Sequence, residues 1–456
     1  MKEMIAAFLA AAQVFATAGC AQTDAGQAQG ASAYQLAAAV YPKMAPYPDE
    51  MAYVDEKTGE FDSEGFSAVY EAWSTARRAQ LGQPEGYADG LTPFFAESIR
   101  QFVAGAGAEN RVYSPLNVYM ALGMLAELTD GNSRAQILDL LGADSIEALR
   151  AQAKAVWNAN YCDDGATASV LASSLWLNQD VRFRQPALDA LADTYYASSF
   201  RGEMGSADFN SALQSWLNEQ TGGLLEEQAG GVALDADTVL ALATTIYFRA
   251  KWSNEFSENR TDKQTFHGKT GDISCDFMHQ SGSRTYFWGE KFSAVAQPME
   301  NASSMWFLLP DEGVSVDELL ADGQAMEFLL ADEEWTDSKF LTVNLAVPKF
   351  DVASDVSLTE GLRALGVTDV FDGAVSDFSP LTADVDGIYV SQAEHAARVT
   401  IDEKGCTAAA YTVMAMAGSA MPPAEEIDFT LDRPFVFAIT SRDGLPLFVG
   451  VVNQPA

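Results

Sequence analysis

The apolar residues of this chain change their period along its length. From Leu91 onward, Phe94, Phe95, Ile99, Phe102 and Val103 recur at helical spacing, and residues 117–128 and 133–141 repeat the pattern. The first third is therefore predicted to be rich in helix. Further along come strand-like, mostly apolar runs: VLASSLWLN at 170–178, TVLALATTIYFRAKW at 238–252, SMWFLLP at 304–310, LTVNLAVPKF at 341–350, and PFVFAIT and LFVGVV near the end. Runs this apolar predict buried rather than surface strands. Helices first and long strands later, with no regular βαβ alternation and no internal repeat, predict one α+β domain over 91–456 built on a large central mixed β-sheet. Ahead of it, Tyr41-Pro42, Tyr47-Pro48 and the amphipathic stretch from Phe66 to Leu81 predict a short packing extension.

One segment follows neither pattern. Between Lys404 and Glu425 there is no charge, although one residue in five of the chain (20%) is charged. Read as a strand, Cys406, Ala408, Ala410, Thr412, Met414 and Met416 share one face, and Thr407, Ala409, Tyr411, Val413 and Ala415 share the other. Desolvating a single ionised side chain costs on the order of several kcal/mol, so an uncharged run suits a segment that becomes buried. A membrane-spanning helix does not fit, because small residues supply little apolar area and Pro422-Pro423 ends the run. A permanent core strand remains an alternative, though such strands favour the β-branched and aromatic residues that this run lacks.

Composition narrows the partners. The 456 residues are 48% hydrophobic and 11% aromatic, enough for a large core, and 64 acidic against 27 basic residues give a net charge of -37. That charge repels nucleic acid and anionic membrane surfaces, which bind through Lys and Arg. The first residues, MKEMIAAFLAAAQVFATAGC, read as an export signal over 1–19. Its ending resembles a bacterial lipobox, which implies lipidation of Cys20 and a membrane contact through that anchor alone; plain secretion is the alternative. The following AQTDAGQAQGAS is a tether, so 20–90 is read as tether plus extension. Beyond the signal the cysteines are Cys162, Cys275 and Cys406, and the histidines are His267, His279 and His395. None is spaced as a metal site, a disulfide framework or a catalytic constellation, and no nucleophile elbow or phosphate-binding loop occurs. The expectation is a protein that is not an enzyme and has neither cofactor nor metal.

A series of short words then carries a resemblance. NRVYSP at 110–115, ADFN at 207–210, WLNEQTGG at 216–223, TIYFRAKW at 245–252, VPKF at 347–350, LGV at 365–367, DFS at 377–379, HAA at 395–397, DEKG at 402–405 and DRPF at 432–435 occur in that order, within a match that spans about 360 residues. Together they resemble the serpins, serine-protease inhibitors and their non-inhibitory relatives. The resemblance implies the serpin fold, with smaller sheets beside the large one and an exposed reactive-centre loop at about 403–426. It also implies a mechanism. A protease cuts the loop, and the cut loop enters a metastable fold as a new central strand, carrying the acyl-enzyme with it.

Carried onto this sequence, the loop hinge is Glu403, Lys404, Gly405, Cys406, Thr407, Ala408, Ala409, Ala410, Tyr411 and Thr412. The family's hinge-to-bait distance places the reactive bond between Ser419 and Ala420, a small-residue site of the kind that elastase-like or subtilisin-like enzymes cut; cleavage after Met416, Ala417 or Met421 stays open. Trp252 and Lys349 match the point of loop entry, where Lys349 would pair with Glu403. Ser114, Asn117, Thr244 and His395 match a buried polar cluster. Asn117 stands where the family often has Ser, and Thr244 where it often has Asn, so the two are expected to exchange an amide for a hydroxyl. The leading expectation is a monomeric suicide inhibitor displayed outside a bacterial cell, whose partner is a serine protease held covalently. The alternative is a serpin-fold protein that binds without inhibiting.

Overall fold

The computed structural model describes residues 30–55, 57–300, 302–330, 335–406 and 423–455. Cys20 and the stretch from Thr407 through Ser419 and Ala420 lie outside the described residues.

The chain begins with a short strand, β1 (Gln35–Ala37), and helix α1 (Ser63–Leu81), whose N-terminus is capped by the Asp62 carboxylate on the Gly65 amide. Helices α2 (Thr92–Val103), α3 (Pro115–Leu128), α4 (Gly131–Leu140) and α5 (Ile146–Asn160) follow. Three of them answer the periodicity of 91–141. Helix α3 is buried on nearly every side, as its largely apolar sequence requires. Next come β2 (Ala168–Asn178), α6 (Gln185–Tyr195), β3 (Ala197–Gly202), α7 (Ala207–Gln220) and β4 (Leu240–Lys251). After an excursion into a second sheet, the chain returns as β5 (Phe350–Ser357), β6 (Glu394–Ile401) and the two-residue β7 (Gly405–Cys406).

The large sheet runs in the order β1-β3-β2-β4-β7-β6-β5, with Cys162–Asp163 beside β2 as its eighth strand. It is mixed, since β2 and β3 are parallel while β2 and β4 are antiparallel. A second sheet of nine strands includes Gly271–Trp288, Ser338–Pro348, Glu426–Thr430, Phe435–Thr440 and Pro446–Val452. The strands Phe435–Thr440 and Pro446–Val452 are buried at every position, which is why they read as unbroken apolar runs. One large core joins α2, α3 and the inner faces of both sheets. A smaller core places Phe209, Leu213 and Trp216 of α7 on the opposite face of β2, β3 and β4. The extension adds β1 to the edge of the large sheet and stacks Tyr41 on Trp157 at 5.5 Å.

Strand β4 departs from expectation. Its sequence predicts full burial, yet most of its residues are only half-buried. On one side it pairs with β2 along its length. On the other, among the described residues, it is laddered only to the two residues of β7.

Candidate functional site

Strand β7 sits between two others. Gly405 pairs with Lys251 and Cys406 with Ala250 of β4, and Cys406 pairs also with Ile401 of β6, all antiparallel. Gly405 and Cys406, expected as the start of an exposed loop, thus lie inside the large sheet. Gly405 is required there. A Cβ at this position would collide with the Ala250 carbonyl oxygen and lie 2.8 Å from the Lys251 Cα. The Cys406 side chain is buried on the core side together with Ala250 and Ile401. Below this wedge no ladder joins β4 directly to β6 among the described residues, so the two strands form the lips of a seam.

The entry to the seam is held by a small network. The Trp252 amide donates to the Lys404 carbonyl at 3.0 Å, and its indole Nε1 donates to the Asp402 carbonyl at 2.8 Å. The Asp402 carboxylate accepts from the amides of Lys404 and Gly405 at 2.8 and 3.2 Å, closing a tight turn into β7. Lys349 Nζ stands 2.6 Å from Glu403 Oε1, and the Thr261 hydroxyl donates to the same oxygen at 2.7 Å. Burial of Glu403 would raise its pKa, but the hydrogen bonds from Lys349 and Thr261 outweigh that and hold the carboxyl below its ordinary value. Trp252, Lys349 and Glu403 thus come together as the sequence suggested. Thr261, which no sequence signal marked, completes the site.

The polar cluster also assembles. The Ser114 amide donates to His395 Nε2 at 3.0 Å, so that nitrogen is the acceptor and the ring proton sits on Nδ1. The Asn117 amide donates to the Ser114 hydroxyl at 3.3 Å, as part of the cap of α3. Asn117 Nδ2 donates to the main-chain carbonyl of Thr244 at 3.3 Å. The expected exchange of amide for hydroxyl is therefore corrected. Thr244 takes part through its backbone, because Asn117 is long enough to reach past the side chain to the strand. Tyr113 meets the His395 ring edge-on at 5.2 Å, and burial pushes the imidazole down to about 4.

Other candidates stay apart from this seam. His267 pairs with Asp272 at 2.8 Å and His279 with Asp262 at 3.0 Å, both in the second sheet. Among the described residues no group of His, Cys, Asp and Glu could hold a metal ion, and no helix is long and apolar enough to cross a membrane.

The chain is similar to known proteins. The family model described as "Serpin (serine protease inhibitor)" matches residues 90–455. Plasminogen activator inhibitor 1 of Sus scrofa is 27% identical over 390 residues, covering 80% of this chain and 91% of that protein. Alpha-1-antiproteinase 2 of Equus caballus is 28% identical over 402 residues, covering 85% and 92%. Among solved structures, the thermophilic serpin tengpin in its native state superposes with a TM-score of 0.72 at 25% identity, over 82% of this chain and 95% of that one. The family model, matched over 90–455, places this chain in the serpin family.

Proposed function

We propose that this serpin is an irreversible, suicide-substrate inhibitor of serine proteases. The observation that carries the reading is β7: Gly405 and Cys406 lie between β4 and β6, antiparallel to both. A strand entering in this register gains backbone hydrogen bonds on both sides, successive residues bonding in alternation to β4 and to β6. Continued downward, the register brings Thr412 between Thr244 and His395, beside the buried polar cluster. The uncharged stretch after Lys404 supports the same step, since neither face carries an ion to desolvate.

In the proposed reaction the protease's serine attacks the carbonyl of Ser419, the bond to Ala420 breaks, and the new amino terminus leaves. Insertion of the upstream strand then moves the acyl-enzyme away before water can resolve the ester. A small residue at the cut favours elastase-like or subtilisin-like enzymes. The names of the relatives as inhibitors support the class and leave the particular protease to this chain's own loop. We further propose that the protein acts outside a bacterial cell, anchored through Cys20.

The test is to mix the purified protein with an elastase-like protease and run a denaturing gel. A complex stable to denaturant, with a released peptide beginning at Ala420, is expected. Cleavage without a complex, repeated with subtilisin-like and cysteine proteases, would overturn inhibition in favour of a binding role.

A further inference from the structure

We propose that Arg398 straps the two halves of the large sheet together across the seam between β4 and β6 and so favours the arrangement in which these strands stand apart to hold a strand between them. This rests on the insertion reading above and names a positioning residue for it.

The geometry begins with the turn that follows α7. Gly222 and Gly223 have φ of +62° and +82°, a left-handed turn that only glycine adopts without strain. The Gly223 amide donates to the Asn218 carbonyl at 2.9 Å and the Leu224 amide to the Thr221 carbonyl at 3.2 Å, so the turn is fastened to the end of α7. Helix α7 in turn rests on β2, β3 and β4. Gly222 is pressed against β4 itself: a Cβ there would lie 2.8 Å from the Tyr247 ring. Two residues further on, the Leu224 carbonyl accepts from Arg398 Nη1 of β6 at 3.1 Å. One short turn therefore touches both lips of the seam.

Arg398 is itself held in place. Its Nε and Nη2 donate to the Asp351 carboxylate of β5 at 2.7 and 2.5 Å, and the Thr400 hydroxyl donates to the same group at 3.0 Å. This bidentate grip fixes the guanidinium plane and leaves Nη1 aimed over the seam. The strap thus links β5 and β6 on one side to α7 and β4 on the other.

Width decides which state the strap favours. Neighbouring strands lie about 4.8 Å apart. In this structure β7 stands between β4 and β6 at the top, and no ladder joins the two strands below it among the described residues. Were β4 and β6 to pair directly, β6 would move by about one strand spacing relative to α7. A hydrogen bond of 3.1 Å cannot be made in both arrangements unless the turn moves too. The bond is made with the sheet parted, and a contact shifts an equilibrium only toward the state in which it is made.

The experiment measures the readiness of the seam without any protease. A synthetic 12-residue peptide of sequence 405–416 is incubated with the purified protein, and its incorporation is followed on native gels. Arg398→Met is expected to slow incorporation about tenfold, the effect of losing one charge-assisted hydrogen bond. Arg398→Lys keeps the charge beside Asp351 but cannot hold that carboxylate and also reach the Leu224 carbonyl. It should be slowed as well, while its urea midpoint stays near that of the unaltered protein. Unchanged incorporation by the Met variant, or full recovery by the Lys variant, would overturn the strap. Should the Met variant fail to fold, the Lys variant alone decides. If the unaltered protein takes up no peptide while its loop can still be cut, the insertion reading itself fails and the strap goes with it.

Discussion

Lys349 Nζ lies 2.6 Å from Glu403 Oε1, at the point where the chain turns into β7. The pair is unequal: the Glu403 side chain is 9% exposed and that of Lys349 is 35% exposed. Removing the lysine leaves a nearly buried carboxylate with the Thr261 hydroxyl as its remaining side-chain donor. Lys349→Ala should therefore lower stability by about 2 kcal/mol, less than for a fully buried pair because the lysine is partly solvated. Urea denaturation at pH 7 measures this, and Glu403→Gln should cost less, since it removes the buried charge as well.

The same carboxyl predicts a pH dependence. Its folded pKa lies below the unfolded value, so its contribution is present above the ordinary carboxylate range and is lost as pH falls through the folded pKa. The Lys349→Ala variant should show a smaller loss of stability than the unaltered protein between pH 5 and pH 3.

His395 acts in a higher window. Its folded pKa is pushed down to about 4 from 6.5 by burial, so between these values the unfolded chain binds a proton that the native state excludes. Stability from the neutral ring is complete above pH 6.5 and is lost as pH falls toward 4, on the order of 3 kcal/mol in all. His395→Gln, which can still accept from the Ser114 amide, should flatten the stability curve across that window. An unchanged curve would show that another group titrates there.

Gly405 has no room for a side chain against Ala250. Gly405→Ala should displace β7 from the seam, because a clash with a backbone carbonyl is relieved only by moving a strand. The expected result with a target protease is more cleaved inhibitor per complex formed, read from band intensities on a denaturing gel. Equal yields of complex would mean that the hinge enters by another route.

Cutting the loop should make the protein harder to unfold. If the freed strand completes the ladder between β4 and β6, the melting temperature rises after limited proteolysis near Ser419, and an unchanged melting temperature indicates a loop that stays outside. Prior peroxide treatment tests whether Met414 and Met416 matter: oxidation makes each side chain polar and should impair insertion, whereas Met421 lies beyond the cut and can affect only recognition by the protease.

Local pattern and composition made much of this structure legible. The helical spacing from Leu91 marked α2, α3 and α4, and the apolar runs at 170–178 and 238–252 marked β2 and β4. These signals survive in sequence because burial of a helix face or strand face repeats every few residues. DEKG at 402–405 and the lone His395 pointed to the seam through their resemblance to family words, and Lys349 does meet Glu403.

What the sequence determined by itself is the order of elements, helices first and long strands later, and the uncharged character of the segment after Lys404. What only the tertiary structure decided is who meets whom across long separations. Thr261 reaches Glu403 over 142 positions, Asn117 chooses the Thr244 carbonyl over 127, and Arg398 finds the Leu224 carbonyl over 174. Contacts this far apart leave no periodic trace, and a hydrogen bond to a backbone carbonyl, as at Thr244 and Leu224, places no demand on the side chain that bears it. The seam itself belongs to the fold in the same way. Strands β4 and β6 each have one edge laddered to a neighbour and one turned toward β7, and no run of residues states which edge will be left to receive a strand.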